Sequence, residues 1–254
     1  MFYAVVVAWH NPVQREAFLS AWGLNTVPSW VFLQQDEHKE GCAKTKNKGV
    51  RRAIDAGARV IVVLDDDCYP FEAETLQQHV EMHMKSLEPK EVKMFETVTS
   101  PPSRGTPYFT KTVRMPVAAS MGYWVNVGDY DAPGQLVHGA RTEMQFMREA
   151  IHGRYFPLSG MNIAFRSVWW PWCQFIDVPR FDDIWQGFIW QKEAYRSGHC
   201  FNLDGPTVLH SRQSDVWANL RDEAKHLEAN ETLWREIHHS DATSYEALRA
   251  LLPI

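Results

Sequence analysis

The sequence predicts an α/β protein: a mixed, mostly parallel sheet flanked by helices, with a helical C-terminal tail. Three observations carry that prediction. The run Val60-Ile61-Val62-Val63-Leu64 is short, apolar and β-branched, as a strand buried on both faces must be, and it stops at Asp65-Asp66-Asp67. Ahead of it, strand-like and helix-like patterns alternate, the signature of a sheet wound by crossover helices. Far behind it, residues 217–252 are charged and mostly helical in pattern, an outer helical wrap.

In chain order, residues 2–9 read as the first strand, which Asn11 and Pro12 end while opening a helix over Val13–Trp22. Val31–Leu33 is a second strand, residues 34–49 are polar and Lys-rich, and helical periodicity runs from Val50 to Ala58 ahead of the Val60 strand. Phe71–Leu87 reads as a surface-type helix; His79 and His83 fall at i and i+4, but with no third ligand nearby they are expected on its solvated face. Residues 97–116 form a long irregular segment with Pro101, Pro102, Pro107 and Pro116 beside Arg104, Lys111 and Arg114. Residues 121–137 are aromatic and Gly-containing without helical period. A short helix is expected over Thr142–Ile151, a turn and strand over Phe156–Phe165, an amphipathic helix over Asp182–Ser197, and a short strand Thr207–Leu209 ending at His210. Nothing marks an internal repeat or an interdomain linker, so residues 1–254 read as one domain.

The 254 residues suffice for a sizeable core. With 26 Lys and Arg against 31 Asp and Glu, the formal charge of −5 supplies no global basic field for nucleic acid. The four cysteines form no Cys-x-x-Cys pair and are too sparse for a disulfide framework, which reads as a reduced, cytoplasmic protein. The start, Met1-Phe2-Tyr3-Ala4-Val5, reads as a strand rather than a signal peptide. No apolar run approaches the ~20 residues a membrane span needs. The eleven tryptophans are expected mostly in the core, although such rings also build stacking walls for sugars and bases.

The chemistry concentrates in a few places. Three acids at a strand's carboxyl end sit where open α/β sheets bind ligands, and packed acids call for a cation. Asp65 and Asp67 project to one side of an extended segment, which suits Mn²⁺ or Mg²⁺ on a diphosphate; Asp66 projects to the other. His210, just after its short strand, is a candidate third metal ligand. Asp182 and Asp183 precede the amphipathic helix, where one is placed to cap it and the other to contact sugar hydroxyls or act as a base. Arg104 and Lys111 supply cations for a diphosphate, and Gly160 permits close backbone approach to a ligand.

These pieces, in this order, resemble the reversibly glycosylated polypeptides, the UDP-arabinopyranose mutase family. The matching stretches are Leu64–Cys68, Arg104–Pro107, Trp124–Val137, Gly160–Phe165, Arg180–Gly187 and Leu209–Ser211, in register over about residues 40–235. The resemblance implies a GT-A-type fold, a UDP-sugar donor and a divalent metal at Asp65 and Asp67, with His210. It implies catalytic roles for Asp182, Asp183 and Arg104, the last at the position tied to reversible sugar attachment. It also implies substrate contacts for Asp65, Asp66, Lys111, Trp124, Asp129, Asp131, Gly160, Asn162 and Trp185. The Arg104 loop is one residue longer than the family's, leaving Lys111 as the cation nearest the second family arginine. On this reading residues 1–96 form the nucleotide-binding half, 97–215 the sugar and acceptor half, and 216–254 the helical tail.

Three functions compete. The first is a mutase exchanging pyranose and furanose forms of a UDP-sugar. The second is a glycosyltransferase to a separate acceptor, a carbohydrate or a hydroxymethylated pyrimidine in phage DNA. The third is a non-catalytic UDP-sugar-binding protein. The sequence leaves the oligomeric state open.

Overall fold

The computed structural model describes residues 2–72, 74–96, 104, 107, 111–139, 147–211 and 215–254. The first half follows the predicted alternation: β1 (Tyr3–Trp9), α1 (Pro12–Ala21), β2 (Val31–Gln35), α2 (Cys42–Asp55), β3 (Val60–Asp65), β4 (Cys68–Pro70) and α3 (Leu76–Ser86). A hairpin of β5 (Lys90–Lys93) and β6 (Thr112–Met115) follows, then β7 (Val117–Met121), β8 (Tyr123–Asn126), α4 (Ala132–His138) and β9 (Ala150–Ile151). The chain continues through β10 (Asn162–Arg166), α5 (Asp182–Arg196), β11 (Cys200–Asn202) and β12 (Thr207–His210). The tail supplies α6 (Val216–Glu223), α7 (Leu227–His239) and α8 (Tyr245–Arg249).

Among the described residues, the main sheet has seven strands in the order β2-β1-β3-β10-β7-β11-β9. Strands β2, β1, β3, β7 and β11 run one way, and β10 and β9 run against them. Alternation along the strands feeds two cores. Val6, Ile61 and Val63 face α2 and α5, packing with Phe165 and Trp190, while Val5, Val7, Val62 and Leu64 face Phe18, Trp22 and Val80 of the α1/α3 side. A third cluster seals α5 to the tail through Trp185, Ile189, Leu233 and Ile237. A smaller sheet, β4-β12-β8, rides on the carboxyl end of the large one. The two meet where the Gly122 N–H donates to the Asn162 carbonyl (2.8 Å), a junction so tight that a Cβ on Gly122 would lie 2.2 Å from the Pro206 carbonyl oxygen.

Four expectations need correction. Helix α2 begins at Cys42, inside the Lys-rich stretch expected to be irregular, because Lys44 and Lys48 point outward while Ala43, Thr45 and Lys46 turn in. Residues 132–138 are helical: Asp131 caps them by accepting from the Gly134 N–H (2.7 Å), and Pro133 suits the first turn. The helix expected over Thr142–Ile151 lies partly outside the described residues, and its end, Ala150–Ile151, pairs with β11 as a strand. His79 and His83 are not on a solvated face; both are fully buried. Among the described residues, no helix is long and apolar enough to cross a membrane.

Candidate functional site

The carboxyl end of β3 opens into a cleft of about 570 Å³. Strand β3 delivers Asp65; the turn to β4 delivers Asp67; β12, paired with β4 at His210 and Cys68, delivers His210. The opposite wall is the first turn of α5, with Asp182 and Asp183. The rim is the loop after β8, carrying Gly128, Asp129, Tyr130 and Asp131.

At the centre lies Lys46, which the sequence reading did not single out. Its ammonium sits 2.6 Å from Asp65 Oδ1, donates to the Gly160 carbonyl at 3.3 Å and rests over the Phe175 ring, with 3 % of the residue exposed. Burial alone would lower its pKa, but Asp65, Cys42, Asp182 and Asp183 outweigh that and raise it, so the charge stays. The signal was present in the sequence. Ala43, Val50 and Ala53 mark the buried stripe of α2, and Lys46 falls on it.

Around Lys46 the acids crowd. Asp183 Oδ2 accepts the Gly160 N–H at 2.7 Å, so one short turn holds both Lys46 and Asp183 by its backbone. Neither Asp182 nor Asp183 caps α5; both lie inside its first turn, after Phe181 at the cap position. Burial, and next the Asp183 charge, push the Asp182 carboxyl up to about 7. Burial also raises Asp183, against the pull of Lys46. Packing around its carboxyl, with Asp183 the next cause, raises Asp129 to about 6 although the residue as a whole remains exposed.

Asp67 and His210 form a second pair, Oδ2 to Nε2 at 3.6 Å, and His210 Nδ1 is 2.9 Å from the Val127 carbonyl. Burial would lower His210, but the Asp67 carboxylate, the Val127 carbonyl and Asp129 raise it. The predicted metal set is therefore divided: Asp67 faces His210, while Asp65 faces Lys46. Among the described residues no three His, Cys, Asp or Glu side chains gather as a metal centre.

The tail closes the cleft. Arg180, in the left-handed region at φ 68°, pairs through Nε with Glu223 of α6 at 2.8 Å, and the other Glu223 oxygen accepts the Ala132 N–H at 2.6 Å. Trp185 is wholly buried and donates its indole N–H to Asn230 of α7 at 3.0 Å, turning Asn230 toward the cleft. No local pattern in the sequence pointed to Glu223 or Asn230.

Of the site residues expected from the sequence, Asp65, Asp67, Asp129, Asp131, Asp182, Asp183 and His210 converge on this cleft. Asp66, Trp124, Asn162 and Trp185 are buried behind it, Asp131 is also spent on its cap, and Gly160 acts through its backbone. Arg104, exposed, and Lys111, half-buried, are not among the lining residues.

The profile of the reversibly glycosylated polypeptides matches residues 53–239. The chain belongs to that family. A relative in Pisum sativum, probable UDP-arabinopyranose mutase 1, is 30 % identical over 196 residues, covering 70 % of this chain and 52 % of its own. UDP-arabinopyranose mutase 3 of Arabidopsis thaliana is 29 % identical over 196 residues, covering 70 % and 53 %. This family member thus spans about half the length of the curated relatives it matches. Its fold is similar to that of S. aureus TarS 1-349, with a TM-score of 0.50 at 12 % identity over 99 % of this chain and 69 % of that one. The architecture is of the GT-A type, as expected.

Proposed function

We propose that this chain is a UDP-sugar enzyme that exchanges ring forms of its substrate, as the names of its relatives describe for them. One observation carries the reading: Asp182, Asp183, Lys46 and Asp65 are packed at the carboxyl end of β3, against a family background of UDP-sugar mutases. In this proposal the nucleotide lies on residues 1–96 and the sugar on 97–215, with Glu223 and Asn230 of the tail completing the wall.

A diphosphate entering a cleft so rich in carboxylates needs positive charge. Arg180 faces the cleft with a fork suited to phosphate oxygens, held in place by Glu223. The donor chemistry fits a hard divalent cation: the Asp67 carboxylate and the His210 imidazole face one another and would hold Mn²⁺ or Mg²⁺. Asp65 gives its Oδ1 to Lys46, which leaves Oδ2 as its oxygen for that set. Such an ion supplies charge neutralisation that helps UDP depart. Once the anomeric carbon–oxygen bond to UDP has broken, a second sugar hydroxyl adds to the anomeric carbon and loses its proton, the former ring oxygen leaves that carbon and takes up a proton, and the UDP phosphate oxygen then bonds the anomeric carbon again. A carboxyl at about 7 exchanges protons readily near neutral pH, which gives Asp182 that part, and Asp183, fixed by the Gly160 N–H, orients hydroxyls.

The test is incubation with UDP-arabinopyranose and Mn²⁺, followed by separation of ring forms. The expected result is UDP-arabinofuranose appearing without any acceptor; unchanged substrate after long incubation overturns the reading. A second reading, transfer to a separate acceptor, draws on Arg104 and Lys111 lying outside the cleft lining. It requires UDP release that depends on an added carbohydrate or hydroxymethylated DNA.

A further inference from the structure

Behind the cleft lies a buried polar chain with no part in the chemistry above. Asn162, fully buried at the start of β10, has its amide orientation fixed by its partners. Nδ2 donates to the Pro206 carbonyl at 2.8 Å and the Tyr123 carbonyl at 3.3 Å, and the reverse orientation would set oxygen against two oxygens. Oδ1 is therefore the acceptor for two imidazoles, His83 Nε2 at 2.8 Å and His79 Nε2 at 3.1 Å, so both Nε2 atoms carry hydrogen. The far side of His83, Nδ1, lies 3.1 Å from the Ser120 hydroxyl, which donates to it; burial, with His79 the next cause, holds His83 well below the usual histidine range and neutral. The far side of His79, Nδ1, lies 2.9 Å from Glu74 Oε1. A carboxylate and a bare ring nitrogen both present lone pairs, so this contact needs one more proton. Among the described residues, Glu74 and His83 are the titratable groups facing His79, which also meets Asn162 and the Trp22 indole.

The other end of the chain reaches the site. Asn162 follows the turn Ser159–Met161, whose Gly160 N–H holds Asp183, whose Gly160 carbonyl holds Lys46, and whose Met161 carbonyl accepts the Asp65 N–H at 3.0 Å. Glu74, in contrast, lines a separate surface cleft with Lys85 and Arg148.

We infer that Asn162 is a positioning residue for the catalytic cleft and that its hold depends on one proton shared by Glu74 and His79. The two imidazoles fix the amide, the amide fixes the turn, and the turn aims Lys46, Asp183 and Asp65.

The test uses the full chain without ligand, so it stands apart from the mutase reading. In NMR with ¹⁵N-histidine and ¹³C-carboxyl labels, His83 should be the neutral Nε2–H form, and one proton should lie between His79 Nδ1 and the Glu74 carboxyl. Glu74→Gln should leave hydrogen on His79 Nε2 alone, because the new amide donates to Nδ1 and replaces that proton. Amide exchange gives the positioning readout: Asn162→Ala should lose about tenfold or more of the protection at Gly160 and Asp65 while Val6 in β1 keeps its own, and Glu74→Gln should retain it at all three. A bare His79 Nδ1 beside an ionised Glu74 in the wild type overturns the shared proton, and unchanged Gly160 and Asp65 protection in Asn162→Ala overturns the positioning. If the protein turns over no UDP-sugar, the mutase reading fails while these readouts still decide the inference.

Discussion

The two sides of the Ser159–Asn162 turn make an instructive contrast. On one side like charges are crowded together: Asp65, Asp129, Asp182 and Asp183 share a cleft with Lys46 and Arg180, and carboxyls there are raised by their surroundings. On the other, Glu74, His79, Asn162, His83 and Ser120 form a continuous chain of hydrogen bonds in the core. The first arrangement stores electrostatic energy that a charged ligand can release; the second stores none and supplies stiffness. They share one short piece of backbone, so the rigid side sets the geometry of the reactive side.

The largest expected effect comes from breaking the reactive side at its second pair. Asp67→Ala should lower turnover of a UDP-sugar by at least about 100-fold while the circular dichroism spectrum stays that of the wild type. Wild-type turnover would refute any ligand role for Asp67 and His210. Next comes the tail clasp. Arg180→Met leaves Glu223 buried without its cation, and should cost about 2–3 kcal/mol in urea unfolding, with weaker UDP binding by titration calorimetry. Arg180→Met, Glu223→Gln together should recover most of that stability but not the binding.

A pH experiment sharpens the contrast. Asp182 sits at about 7 in the fold, above its ordinary value near 4, so folding favours its protonated form. That contribution is full below about pH 4 and is lost as pH rises through 7. Asp182→Asn should therefore melt higher than the wild type at pH 8, with the gap narrowing as pH falls toward 4. Turnover by the wild type should rise through neutral pH, and the variant should lack that rise. The smallest effect belongs to the rigid side: Ser120→Ala removes the donor to His83 Nδ1 and should cost about 1–2 kcal/mol in urea unfolding.

Much of this was legible in the sequence, unevenly. The strands up to Asp65 were plain because continuous apolar β-branched runs have few other uses, and Asp65, Asp67, Asp182, Asp183 and His210 all reach one cleft as their positions implied. Helix α2 was half missed because Lys46, a charge on a buried stripe, breaks the periodicity that announces a helix. His79 and His83 were misplaced for a similar reason: polar residues on a helix read as exposed unless their partners are known, and Asn162 and Ser120 lie 79 and 37 residues from His83 in the chain. The pairing of Arg180 with Glu223 joins positions 43 apart, beyond any local pattern.

That last pairing also bears on the order in which the chain becomes competent during synthesis. A polypeptide emerging from the ribosome as far as residue 215 carries every residue of the acidic wall, the paired sheets and the His79–Asn162 chain. It lacks Glu223 and Asn230, so Arg180 has no anchor and the Trp185 indole N–H no partner. Ligand binding would then be acquired abruptly when α6 and α7 dock. A nucleotide-responsive signal on stalled chains of increasing length would report the docking of these helices rather than the formation of the core.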